Sequence, residues 1–217
     1  MAEITLPTKT VGSGQDVQTV PLIALTERTG PRLAVNERSL TPLWSPGTRH
    51  TFLYSAYWVG SAVIRPQGRS GGLEGEQINA TLNALQRVGN FCELPLELPT
   101  YDDTLPGSLA LNSSSTEVQT DNTIKLVFSG LTVKQRDDKL PLGTWVQWGG
   151  RMYQIQRQNS SNSSVYVVGP EPPAKASNLF PALSAASTLK ARLGQVNPVY
   201  RNGIYQAWAV SWMEYTP

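Results

Sequence analysis

The stretch LGTWVQWGGRMYQIQR, residues 142–157, allows few folds. Short β-prone runs lie on both sides of Gly149-Gly150, and a glycine pair suits the two-residue turns with positive φ that join antiparallel strands. This part of the chain is therefore a β-hairpin. Period-two geometry puts Trp145 and Gln147 on one face and Val146 and Trp148 on the other. Each face thus carries an indole. If one face packs on a core, the other is expected to present its tryptophan to solvent, a sugar or another protein.

Most of the remaining chain also reads as strand. HTFLYSAYWVGSAVIRP, residues 50–66, is rich in β-branched and aromatic residues and is one long strand or two strands bent at Gly60. NFCELPLELP returns to strand, and TIKLVFSGLTVKQ, residues 123–135, alternates like a half-buried strand with Gly130 as bulge or break. VYVVG follows as a partner strand, and TLKARL and GIYQAWAVSWMEY close the chain. In the last of these, Ile204, Gln206, Trp208, Val210, Trp212 and Glu214 share a face, which is expected to point inward. The one expected helix is EGEQINATLNALQRVG, residues 74–89. Ile78, Leu82, Leu85 and Val88 form its apolar stripe, Glu74 and Glu76 suit its N-terminus and Arg87 its C-terminus, and Gly89 serves as the left-handed terminator.

These elements give the expected fold class: mainly β, a β-sandwich or split β-barrel with one covering helix at about 74–89 and an extended N-terminal arm. Two regions follow. Residues 1–50 contain Pro7, Pro21, Pro31, Pro42 and Pro46 among short β-prone pieces and form an arm or edge strands, because proline removes a ladder donor. Residues 51–217 form the β-rich body with its helix.

Composition removes several classes of function. The single cysteine, Cys92, precludes an intrachain disulfide or a multi-thiolate metal site, and the single histidine, His50, leaves little for a catalytic triad or a two-histidine metal site. Asp102-Asp103 and Asp137-Asp138 are adjacent pairs in turn-like contexts. Neighbouring side chains of an extended chain diverge, so neither pair makes an acid–base dyad. QGRSGG lacks phosphate-loop spacing, and no Gly-x-Ser-x-Gly elbow occurs. We therefore expect no enzyme, no catalytic, cofactor-binding or metal residues, and no cofactor. A net charge of +2 without a Lys/Arg stripe argues against nucleic acid. The absence of a long apolar run or a signal-like leader argues against a membrane or secretory route. The Asn-x-Ser/Thr sequons at Asn79, Asn112, Asn159 and Asn162 are accordingly expected to stay unmodified.

Two features point outward. Charged residues make up 16% of the chain, against about 25% in typical soluble domains, so part of the surface is expected to be covered by other chains. The chain also has six tryptophans, a residue enriched at interface centres. Trp44, Trp58, Trp145 and Trp148 are the expected interface residues, with a carbohydrate platform as the other use of exposed indoles.

The order of these elements resembles a known group. An aromatic strand YSAYWVGSAVI is followed by the helix EGEQINATLNALQRVG, the strand NFCELPL, a long loop, IKLVFSGLTV and the hairpin LPLGTWVQWGGRMYQIQ. After these come VYVVGPEPPA and the C-terminal TLKARL and AWAVSWMEY. This order is similar to tailed-bacteriophage tail-tip proteins of the distal tail and baseplate kind, from about residue 50 to the C-terminus. The resemblance implies a structural virion protein in the phage tail, assembled in the host cytoplasm. It would form a homo-oligomeric ring, expected to be a hexamer, that connects the tail tube to hub and host-recognition proteins. It supplies no catalytic residue. The alternatives are a carbohydrate-binding adhesion module and a tail connector or terminator ring protein.

Overall fold

The computed structural model describes residues 2–13, 17–40, 50–67, 73–96, 98–99, 117–121, 123–128, 130–172, 184–185 and 188–215. The fold is mainly β, with helices in a minority role. In chain order the elements are β1 (Ala2–Glu3), β2 (Thr8–Val11), β3 (Gln18–Pro21), β4 (Ile23–Leu40), β5 (His50–Pro66), α1 (Leu73–Leu85), β6 (Asn90–Pro95), β7 (Glu117–Val118) and β8 (Ile124–Leu126). They continue with α2 (Val133–Lys139), β9 (Trp145–Trp148), β10 (Arg151–Gln158), β11 (Val165–Val168), β12 (Ser184–Ala185), β13 (Thr188–Arg201) and β14 (Ile204–Glu214).

The chain divides into two compact units. The first combines Met1–Arg32, Trp58–Leu96 and Leu189–Pro217; the second combines Leu33–Tyr57 and Glu97–Thr188. This differs from the expected division into residues 1–50 and 51–217. The described residues before Leu33 group with the first unit, and those of Leu33–Tyr57 group with the second. Ala2 and Glu3 pair in parallel with Asn90 and Phe91, and the Ile4 amide donates to the Phe91 carbonyl at 2.8 Å. β2 and β3 form an antiparallel hairpin, closed by the Leu22 amide donating to Pro7 O at 2.9 Å. Leu22, Ile23 and Leu25 are buried. These apolar side chains seat the described residues up to Arg32 in the first unit despite Pro7, Pro21 and Pro31, while Leu33–Tyr57 belongs to the second; Pro42 and Pro46 lie outside the described residues. The expectation of edge strands holds for Pro31, which lies in β4, the outermost strand of its sheet.

The sheet of the first unit has the order β1-β6-β13-β14-β5-β4. Helix α1 packs against β6 and β14. Ile78, Leu82 and Leu85 are each about 1% exposed. They meet a sheet face whose buried residues include Cys92, Leu94, Ala191, Leu193, Trp208, Val210 and Trp212. Each fully buried Leu or Ile contributes roughly 1.5–3 kcal/mol relative to exposure. The helix ends at Leu85, earlier than its expected Gly89 limit. Asn90 Nδ2 donates to Ala84 O at 2.8 Å and satisfies a terminal carbonyl. Gly89 does have positive φ, at 92°, but Val88 is fully exposed and not part of the apolar stripe. Gly60 does not break β5. It pairs with Trp212, and a Cβ there would lie 2.4 Å from the indole.

The second unit is built on the sheet β12-β9-β10-β11-β8-β7. Its core joins Ile124, Leu126, Phe128, Leu140, Val146, Trp148, Tyr153, Ile155, Val165 and Val167. The expected strand over 123–135 is only Ile124–Leu126, and a second helix, α2, follows. Gly130 at φ 80° interrupts the extended chain. Thr132 then opens α2 with a capping box: its hydroxyl accepts from the Gln135 amide, and the Gln135 side chain accepts from the Thr132 amide. Arg136 on α2 is 2% exposed. It donates to the carbonyls of Asn159, Asn162 (2.6 Å) and Ser164 (3.1 Å), and to Asp137 Oδ1. One guanidinium therefore holds the Asn/Ser-rich loop between β10 and β11 in place.

Candidate functional site

The tryptophans expected at an interface are core residues where they are described. Trp44 lies outside the described residues. Trp58 and Trp145 are each 3% exposed, and Trp148 is fully buried. The hairpin register explains the last two. Trp148 pairs with Arg151, Val146 with Tyr153 and Trp145 with Gln154. Val146 and Trp148 therefore share a face with Tyr153, whose ring centroid is 5.4 Å from the Trp148 ring. The other face carries Trp145 and Met152, and both are buried as well. A hairpin with one wet face would expose one indole, but here Trp145 and Met152 are buried on the face opposite Trp148 and Tyr153, while Gln147 and Gln154 beside them are half-buried. Trp208 and Trp212 are also buried. Every described tryptophan is buried, so none of them presents an exposed indole.

The reactive groups are placed as follows. Cys92 is buried, and its thiol is pushed up to about 12 by burial and then by the charges of Glu3 and Glu93, so it holds no thiolate at neutral pH. Asp137 is engaged by Arg136 at 2.5 Å, while Asp138 is exposed. Asp102 and Asp103 lie outside the described residues, as does the side chain of His50. Among the described residues no three His, Cys, Asp or Glu side chains gather as a metal site, and no helix is long and apolar enough to cross a membrane.

The surface that stands out lies at the end of the β13–β14 hairpin in the first unit. β13 and β14 pair antiparallel down to Tyr200 with Tyr205 and Arg201 with Ile204, and Asn202-Gly203 makes the turn at φ 52° and 77°. None of residues 197–206 is buried. Val199, Tyr200 and Ile204 are 41%, 55% and 40% exposed. The tip is nonetheless braced. The Tyr200 and Tyr205 rings meet edge to face at 4.8 Å, and Tyr205 stacks on Trp208 at 5.3 Å. Asn79 of α1 ties both to the helix: its Nδ2 donates to the Tyr205 hydroxyl, and its Oδ1 accepts from Trp208 Nε1, each at 3.1 Å. Partial desolvation, with the charge of Glu76, raises the Tyr205 phenol above its ordinary value.

Beside this hairpin lies a trough of about 240 Å³. It is lined by Glu27, Ser61, Val63, Gln195, Asn197, Ala209 and Ser211, with Ala62 and Val210 contributing to its walls. Small side chains on neighbouring strands make it: Ala209 pairs with Val63 and with Asn197, and Ser211 with Ser61. A register shift in β13 between Leu193 and Val196 adds to it, and there the Gln195 amide donates to Ser211 Oγ at 2.8 Å. Tip and trough were both missed in the sequence. The Asn-Gly pair between alternating segments is a strong hairpin signal and would have located the tip.

No family model, curated protein or solved structure matches the chain.

Proposed function

We propose that the chain is a structural subunit of a phage tail tip, forming a homo-oligomeric ring that connects the tail tube to hub and host-recognition proteins. The support is of two kinds. The order of elements is similar to that of distal tail proteins. The exposed apolar end of the β13–β14 hairpin is the single structural observation that carries the reading. A two-stranded ribbon with Val199, Tyr200 and Ile204 exposed, held rigid by Tyr205, Trp208 and Asn79, loses apolar surface to water only when another chain covers it. Buried tryptophans and a docked leader remove the first basis for this reading. The hairpin end replaces them.

A scaffolding subunit needs surfaces that repeat around a closed ring. It needs no catalytic cluster. Native mass spectrometry and negative-stain electron microscopy of the purified chain test the reading. We expect closed rings of one mass, with six-fold symmetry as the specific expectation. A population that stays monomeric up to roughly millimolar concentration, where association stronger than about −4 kcal/mol would appear, contradicts it.

A further inference from the structure

We infer that the trough on the first unit's sheet is the receptor for the β13–β14 hairpin tip of a second copy of this chain. This rests on the ring reading above and names its contact. Residues 200–204 would occupy the trough, with Tyr200 and Ile204 against Ala209 and Val63, and Arg201 toward Glu27.

Three observations point to this occupant. The tip is a braced apolar knob, and the trough is a hollow with Ala209 and Val63 in its lining and Ser61, Ser211, Gln195 and Asn197 among its polar members. The two cannot meet within one copy. Both lie on the same ribbon, with Asn197 in the trough and Arg201 at the tip. Four residues of extended strand hold them roughly 13 Å apart. The charges also match. Arg201 is the only charged residue in 197–206, and none of the ion pairs among the described residues includes it. Glu27 is the only charged residue lining the trough. It already gives Oε1 to Arg65 at 2.6 Å, so an incoming guanidinium would share a carboxylate at the exposed rim. This makes the ion pair a few-fold contribution and leaves most of the affinity to the apolar knob. A knob and a hole at different places on one surface make a heterologous contact, which builds a ring when its rotation closes.

The test uses two full-length variants. One carries Tyr200→Ala with Ile204→Ser and has a disabled tip. The other carries Ala209→Arg and has a filled trough. All these positions are exposed, and circular dichroism melting checks that both variants fold. Each alone is expected to lose self-association by on the order of 30-fold. Mixed together, they are expected to form a one-to-one heterodimer that grows no further, because only one intact tip and one intact trough remain. The single swaps Arg201→Glu and Glu27→Arg should each weaken assembly about threefold, and the double swap should restore it. Folded variants that assemble like wild type, or a mixture that stays monomeric while wild type forms rings, overturn this contact and leave the ring reading standing. A wild-type chain that never associates overturns both.

Discussion

The β9–β10 and β13–β14 hairpins look alike as sequence and differ as structure. Both turn on a positive-φ pair, and both carry two tryptophans. The first buries Trp148 and Tyr153 on one face and Trp145 and Met152 on the other, so all four are core. The second is buried at one end, at Trp208, Val210 and Trp212, and exposed at the other, where Val199, Tyr200 and Ile204 meet water. Aromatic content therefore does not tell core from contact surface. What decides is whether other elements cover the strand at that position, and alternation says nothing of what lies above each face.

The contrast can be broken by substitution, and the largest effect belongs to the covered hairpin. Trp148→Ala should destabilise the second unit by about 3–5 kcal/mol, read by urea unfolding, because it empties a fully buried indole site. A cost below about 1 kcal/mol would mean that β9 is not core. Arg136→Leu comes next. It leaves three carbonyls without their guanidinium, and a loss of about 2–3 kcal/mol is expected, with faster hydrogen exchange in residues 159–164. Gly60→Ala places a Cβ 2.4 Å from the Trp212 ring and should cost about 1–3 kcal/mol, with a changed tryptophan emission spectrum. Tyr200→Ala with Ile204→Ser should change monomer stability least, by at most roughly 1 kcal/mol, since its side chains are about half exposed. A large loss there would make the tip a folding element and not a contact. Cys92 sharpens the same point from the chemical side. Its thiol should resist alkylation at pH 8 in the native state and react once urea unfolds the chain, because folding holds its pKa near 12.

Much of the fold was legible because periodicity is local. The stripe Ile78, Leu82 and Leu85, the Gly149-Gly150 turn and the inward run Trp208, Val210, Trp212 all follow from spacing alone. Ile204 and Gln206 were expected on that same face but lie beyond the strand's covered part, where the register with β13 shifts. The helix α2 was missed although Thr132 and Gln135 spell a capping box, because the β-prone LTVK nearby suggested strand. The candidate site was the least legible part. A trough lined by residues from four strands depends on cross-strand register, and register between distant segments leaves no mark in a single sequence.

The most direct test is hydrogen exchange by mass spectrometry on the same chain, dilute and assembled. We expect amides of residues 197–206 to slow markedly on assembly, while β9 and β10 exchange equally slowly in both states. Unchanged exchange at 197–206, with new protection appearing elsewhere, would contradict the assignment of this hairpin end as the surface that joins one copy to the next.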